Sequence, residues 1–245
     1  MIRKPVLVLG GGSDIGLSIA KRFAAEGYPI QLAVRRPDTH EPVRADLALR
    51  CDVSVTLHQL DVLNSVDIEV FFDDLPETPG IVVCAVGLLG DQQEAEQNPE
   101  MAQLIVDSNF TGPMVVLEAV AVRLAALDHD TAIIAISSVA GDRGRAKNYW
   151  YGAAKAGFTA GLSGLRQRYV RSRLHVMTVK PGFVATRMTA GMDMPASLTG
   201  QPDEIATLVY RGLARKKYVV CPPIWRLVML VLRSLPEAIF MKTKI

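Results

Sequence analysis

Tyr151 and Lys155 stand four residues apart at the start of a segment of helical period, so both side chains leave one face of that helix. An ammonium beside a phenol favours the phenolate and brings tyrosine toward the range useful for proton transfer. Thirteen residues ahead of the tyrosine, Ile133-Ile134-Ala135-Ile136-Ser137-Ser138 has the pattern of a buried strand ending in two hydroxyls. Hydroxyl, phenol and ammonium brought together could hold a carbonyl oxygen and pass a proton to it or from it. The tyrosine–lysine spacing alone is common on ordinary helices, and the serine pair at a strand end is what lifts it above that background.

Those groups converge only if the chain supplies a sheet edge and a helix to carry them. Short apolar, β-branched runs recur at Val6–Leu9, Ile30–Val34, Val55–Leu60, Ile81–Val86, Ala132–Ile136, Leu174–Val179 and Tyr218–Cys221. Between them lie segments of helical period, among them Ile15–Ala25, Val66–Leu75, Met101–Leu127, Ala153–Val170 and Pro202–Leu213. Strand alternating with helix predicts one three-layer, doubly wound α/β domain with a parallel seven-stranded sheet covered on both faces. No linker, repeat or low-complexity tract divides the 245 residues. Ligands of such folds bind at the carboxyl edge of the sheet, where the serines end their strand.

The first strand runs into Gly10-Gly11-Gly12-Ser13-Asp14-Ile15-Gly16 and then an amphipathic helix. Unpaired amides and the positive helix end suit a pyrophosphate there, so Gly10, Gly12, Ser13, Asp14, Ile15 and Gly16 are candidate cofactor contacts. The run fails the GxGxxG pattern in every register, and a tight turn without ligand is the plain alternative. At the end of the second strand an acid would accept the ribose hydroxyls of NAD, whereas arginine would meet the added phosphate of NADP. The chain offers Arg35 and Arg36 there, with Asp38 lying beyond Pro37, and the expected cofactor is NADP(H).

With 27 basic against 25 acidic side chains and a net charge of +2, there is no global electrostatic case for nucleic acid. A composition 49% apolar and 21% charged excludes disorder and a coiled coil. Three cysteines, Cys51, Cys84 and Cys221, fit no zinc spacing or disulfide framework, which predicts a reducing, cytoplasmic setting. His40, His58, His129 and His175 are scattered, so no metal is expected. The charge is uneven: Arg211, Arg215, Lys216, Lys217, Arg226, Arg233, Lys242 and Lys244 face Glu237 alone. Ile224–Leu235 is too apolar for an ordinary surface helix, yet too short and charged to span a bilayer. Trp225 with the flanking cations suits an interfacial position at the inner face of a membrane; packing over the substrate cleft or into a subunit interface is the alternative.

Over nearly its whole length the chain resembles the short-chain dehydrogenase/reductase family. The TGxxxGxG loop of that family is matched by Leu9–Gly16, with Asp14 in place of the middle glycine. Asp61 with Val62 matches the adenine-contacting position, and Cys84-Ala85-Val86-Gly87 stands where the family has NNAG, keeping only the glycine. Asn109 matches the active-site asparagine; Ser138, Tyr151 and Lys155 match the serine and the YxxxK pair; Pro181-Gly182 with Val184 and Thr186 match the PG segment. The resemblance implies a Rossmann fold and hydride transfer between a nicotinamide and a carbonyl or secondary alcohol. In it Ser138 holds the oxygen, Tyr151 exchanges the proton, Lys155 holds the nicotinamide ribose and Asn109 anchors a proton-relaying water. It further implies Ala85 and Gly87 as cofactor contacts, residues 187–200 as the substrate loop and a homo-oligomer, while the charge and apolar pattern by itself marks residues 224–245 as a basic apolar tail.

A narrower likeness lies in GGGSDIG, in GDRGRAKNYWYGAAKAG and in the ending LPEAIFMKTKI. These resemble the subgroup that includes decaprenylphosphoryl 2-keto-erythro-pentose reductases, which act on polyprenyl-linked sugars. The cations of Asp142–Lys147 could face a substrate phosphate or simply be solvated. Two further readings stay open: an idle cofactor-binding scaffold, against which four intact catalytic-type residues argue, and a reductase of small soluble ketones.

Overall fold

A computed structural model describes residues 3–64 and 68–243. In chain order the elements are β1 (Val6–Leu9), α1 (Asp14–Ala24), β2 (Ile30–Val34), α2 (Glu41–Cys51), β3 (Val55–Gln59), α3 (Ile68–Asp73) and β4 (Ile81–Cys84). There follow α4 (Gln92–Gln97), α5 (Pro99–Val106), α6 (Gly112–Ala125), β5 (Thr131–Ile136), α7 (Tyr149–Arg168) and β6 (Leu174–Val179). The last are β7 (Phe183–Val184), β8 (Thr199–Gly200), α8 (Pro202–Ala214), β9 (Val219–Val220), α9 (Pro223–Ser234) and α10 (Glu237–Phe240). The Val66 start of the expected third helix and Lys244 of the tail lie outside the described residues.

The main sheet has the order β3-β2-β1-β4-β5-β6-β9 and is parallel throughout. Strand order reverses between β1 and β4, opening a crevice at their carboxyl ends. β1, β2 and β5 are buried along their whole length, as apolar strands covered on both faces must be. One core packs α3, α6 and α7 on the sheet through Phe71, Val116, Phe158 and Leu162. The other packs α1 and α8 on the opposite face through Ile19, Phe23, Ile205 and Val209. All seven expected strands form the main sheet, with ends shifted by a residue or two.

Three departures bear on the site. The expected helix at 101–127 is widened at Asp107–Thr111, where the Gly112 N–H reaches back five residues to the Asp107 carbonyl. Pro113 has no N–H for the Asn109 carbonyl one α-turn before it, which explains the bulge physically. The combined segment Pro99–Ala125 is long and apolar enough to cross a membrane by length and composition; here its buried side, including Ile105, Leu117 and Val120, packs within the protein. The polar helix α2 buries only Leu47, too weak a period to be read from sequence. The tail forms α9, but Trp225 does not reach outward: it is buried against Phe183 at 5.0 Å between ring centres, and its Nε1 donates to the Leu198 carbonyl at 2.9 Å. The interfacial role expected for this indole is thereby corrected, because its apolar area and single donor are both satisfied inside.

Candidate active site

The glycine loop is shaped by close backbone approach. Gly10 takes φ +76°, and a side chain there would press on the Ala85 backbone at 3.0 Å. Ser13 caps α1, accepting from the Gly16 N–H at 3.1 Å and donating to the Gly10 carbonyl at 2.8 Å. Gly12 lies under the ring of His40, leaving no room for a methyl group unless the ring moves. Asp14 accepts from the Arg187 backbone N–H at 2.7 Å and from its Nε at 2.9 Å, and the same guanidinium donates to the Gly12 carbonyl. The acid in the glycine loop is thus paired with a cation that arrives from the segment after β7.

A cavity of about 440 Å³ opens beside this loop at the carboxyl edge of the sheet. Ser13, Asp14, Ile15, Arg35, Ala85, Gly87, Ser138, Tyr151, Lys155, Pro181, Gly182, Val184 and Thr186, all expected at the site, line it. The remaining expected residues do not. Gly10, Gly12 and Gly16 shape the loop instead, and Arg36 is exposed, its carbonyl taken by Thr39 and His40. Asp61 is exposed beyond β3, its carboxylate accepting from the Leu63 N–H at 3.1 Å, and Val62 is buried against Gly112. Arg187, Met188 and Thr189, from the expected loop 187–200, also line the cavity, and Val86, Ile136 and Ser137 join the wall without having been singled out as contacts. The carboxylate of Asp14 at a glycine position was the one sequence signal that a balancing cation was needed.

Two glycines bring the serine turn against α7. A methyl on Gly141 would stand 2.7 Å from the Ala156 nitrogen and the Lys155 carbonyl carbon, and one on Gly152 would stand 2.9 Å from the Ala140 carbonyl. Ser137 spends its hydroxyl on the Lys155 carbonyl at 3.1 Å and on Thr159 at 2.7 Å, tying the end of β5 to α7. Ser138 is the serine beside the Tyr151 phenol, and its oxygen accepts from the Ala140 N–H at 3.1 Å. Asn109, fully buried in the widened turn, donates to the Leu88 and Ile105 carbonyls at 2.5 and 2.8 Å and accepts from the Leu88 N–H at 3.2 Å. Both amide protons go to backbone, so Asn109 clamps the segment after β4 beside Lys155 and lies outside the cavity wall.

Lys155 is 3% exposed, and its Nζ donates to the Ile136 carbonyl at 3.2 Å. Burial pushes its ammonium down to about 8, with the Cys84 thiol opposing. Burial also raises the Tyr151 phenol above its ordinary value, while Ser138 and Arg145 pull it partly back. The expectation that Lys155 lowers the phenol is therefore corrected. Desolvation dominates, and the cation acting on the phenol is Arg145, with Lys155 Nζ 5.7 Å from the ring centre.

That burial has a measurable sign. Below pH 8 the lysine is charged in both folded and unfolded chains, and the folded chain carries the desolvation cost. Between about 8 and the ordinary 10.5 the folded chain releases the proton first, so its stability rises with pH. Lys155→Met is expected to be more stable than the wild type at pH 7, and the gap should shrink by about 3 kcal/mol toward pH 10.5. Urea unfolding of both chains at several pH values measures it, and a constant gap would contradict a desolvated ammonium.

A second cavity of about 420 Å³ adjoins Tyr151. Its walls are largely apolar, with Leu89, Phe183, Leu198, Trp225, Val228 and Leu232, and Arg145 and Lys147 add charge. Helix α9 therefore forms one wall of this cavity through Trp225, Val228 and Leu232. A methyl on Gly182 would overlap the Trp225 indole, so that glycine lets α9 close on the site.

Residues 4–195 match the family profile described as short chain dehydrogenase. An uncharacterized oxidoreductase of Mycobacterium tuberculosis is 33% identical over 241 residues, covering 96% of this chain and 95% of the relative. A 3-oxoacyl-[acyl-carrier-protein] reductase of Chlamydia muridarum is 28% identical over 220 residues, covering 84% and 88%. Among solved structures, a short-chain dehydrogenase from Sphingobium yanoikuyae in complex with NADPH superimposes with a TM-score of 0.81 at 24% identity, covering 96% and 97%.

Proposed function

The chain belongs to the short chain dehydrogenase family, and from that premise we propose that it is an NADP(H)-dependent oxidoreductase that reduces a carbonyl to a secondary alcohol. The observation that carries this reading is the meeting of Ser138, Tyr151 and Lys155 on one cavity at the carboxyl edge of the sheet. The residues fit the cofactor: Gly10 at positive φ clears the backbone approach, Arg35 lines the cavity, and Lys155 uses one proton on Ile136, leaving two to donate to ribose hydroxyls. Ser13, Ile15, Thr186 and Gly87 would line the bound molecule, which supplies the hydride. Ser138 orients the carbonyl oxygen, and Tyr151 gives it the phenolic proton as the carbon is reduced. Burial raises the Tyr151 phenol above its ordinary value, so it is protonated at neutral pH, the form a donor to the carbonyl oxygen needs.

The NADP preference rests on Arg35 alone of the arginine pair, since Arg36 lies outside the cavity. Arg35→Ala is expected to weaken NADPH binding by about ten- to a hundredfold, the worth of a charge-assisted contact, and to leave NADH binding nearly unchanged. Arg36→Ala should change neither by more than about threefold. Fluorescence titration with both nucleotides measures this, and equal wild-type affinity for the two would refute the assignment.

Support for a bulky, lipid-like substrate, such as a polyprenyl-linked sugar, comes from the apolar walls that α9 adds beside Tyr151. Ile224, Leu227, Leu230 and Val231 expose an apolar ridge on the other side of α9, flanked by Arg226 and Arg233. That ridge supports peripheral contact with the inner face of a membrane in a cytoplasmic protein. Val115 and Val122, exposed on α6, support self-association into a homo-oligomer.

A further inference from the structure

The run from Asp142 to Lys147 holds three cations between the serine and the tyrosine, and the fold sends them to different tasks. Arg143 caps the end of α9: its Nη1 donates to the Leu232 and Leu235 carbonyls at 2.8 and 2.6 Å, its Nη2 meets Glu237 at 2.7 Å, and Phe240 lies under it at 4.0 Å. Asp142 is taken by Lys180. Arg145 is left over. It is half-buried in the wall of the cavity beside Tyr151, and among the described residues no carboxylate forms an ion pair with it. Asp193, the acid in the same wall, is exposed in the substrate loop.

A guanidinium drawn out of water without a partner is costly, and burial indeed pushes Arg145 below its ordinary value. The protein carries that cost in a cavity that adjoins Tyr151, whose other walls are mostly apolar, with Gln92, Asn148, Asp193 and Lys147 as the further polar groups. We propose that Arg145 reads an anionic group on the substrate, a carboxylate or a phosphate, while the substrate carbonyl meets Ser138 and Tyr151. This rests on the reductase reading above and adds the substrate class: an amphiphilic ketone bearing an oxyanion. The fork of five donors suits two oxygens of one such group at once. Lys147, exposed at the rim, supplies a point charge.

The test compares matched pairs that differ only in the charge: levulinate with methyl levulinate, and dihydroxyacetone phosphate with dihydroxyacetone. With saturating NADPH, the wild type should prefer the charged member of at least one pair in kcat/KM. Arg145→Gln should reduce that preference about ten- to a hundredfold, and Arg145→Lys should keep part of it. Using the ratio cancels whatever Arg145 does to the phenol of Tyr151. A change confined to one pair identifies carboxylate or phosphate as the group read. Calorimetric binding of the same four compounds in the presence of NADP+ gives a readout independent of turnover. If none of them oxidises NADPH but the anion preference in binding is lost in Arg145→Gln, the anion seat is supported independently of turnover, and the reductase reading is tested separately by NADPH oxidation with bulkier ketones. Ratios that are the same in the wild type and Arg145→Gln, in turnover and in binding, overturn the proposal.

Discussion

Tyr151→Phe should lower turnover by about a thousandfold while NADPH still binds with nearly wild-type affinity. Phenylalanine keeps the ring and loses only the transferable proton, and a positioned general acid is worth about 10² to 10⁴ in rate. The neighbours of the ring argue that little else changes. Tyr151 packs with the small cluster of Ala95, Ala102 and Ile105, and its hydroxyl faces Ser138 and Arg145. Removing that oxygen relieves a buried, raised phenol, so stability should hold or rise slightly. Steady-state NADPH oxidation together with nucleotide titration separates the two effects. Wild-type turnover on a true substrate would show that another group supplies the proton, and joint loss of binding and stability would mean the tyrosine is structural.

Gly141→Ala is expected to cost about 1 to 3 kcal/mol in stability and at least tenfold in kcat, although residue 141 carries no functional group. Its methyl would meet only backbone: the Ala156 nitrogen and Lys155 carbonyl carbon at 2.7 Å and the Lys155 oxygen at 3.0 Å. Backbone inside a helix cannot swing aside as the end of a side chain can, so the serine turn must back away from α7. A shift of about 1 Å between Ser138 and the Tyr151–Lys155 face would misplace the reacting groups, which can cost about a hundredfold in rate. Gly144→Ala, three residues on, has nothing within 4 Å of the added methyl and should behave as the wild type in both measurements. Denaturant unfolding and kcat for the two variants decide the matter. Equal behaviour of Gly141→Ala and Gly144→Ala would show that the close contact is not what sets the site.

The seven strands, the glycine loop and the convergence of Ser138, Tyr151 and Lys155 were legible because each rests on local periodicity or on spacing within one element. A buried parallel strand must be apolar on both faces, and an i, i+4 pair shares one helix face whatever surrounds it. Nothing local distinguishes Ser137 from Ser138, Arg35 from Arg36, or Arg143 from Arg145. Each pair has the same chemistry at nearby positions, and the fold separates them: the Ser137 hydroxyl is bonded to α7 while Ser138 faces the phenol, Arg35 lines a cavity that Arg36 does not, and Arg143 caps α9 while Arg145 lines the cavity beside Tyr151. The Asp14–Arg187 bridge joins residues 173 positions apart, beyond the reach of any pattern in the chain. Phenol and ammonium pKa directions likewise needed the structure, because burial outweighs the pairwise charge that spacing suggests. By itself the sequence determined the fold class, the family resemblance and the candidate residues Ser138, Tyr151 and Lys155, because element periodicity, the i, i+4 spacing and the strand-end position are local features. Tertiary structure alone decided that Trp225 turns inward, that α9 walls the cavity beside Tyr151 and that Arg145 stands there with no ion-pair partner among the described residues, because desolvation and packing depend on what arrives from distant parts of the chain.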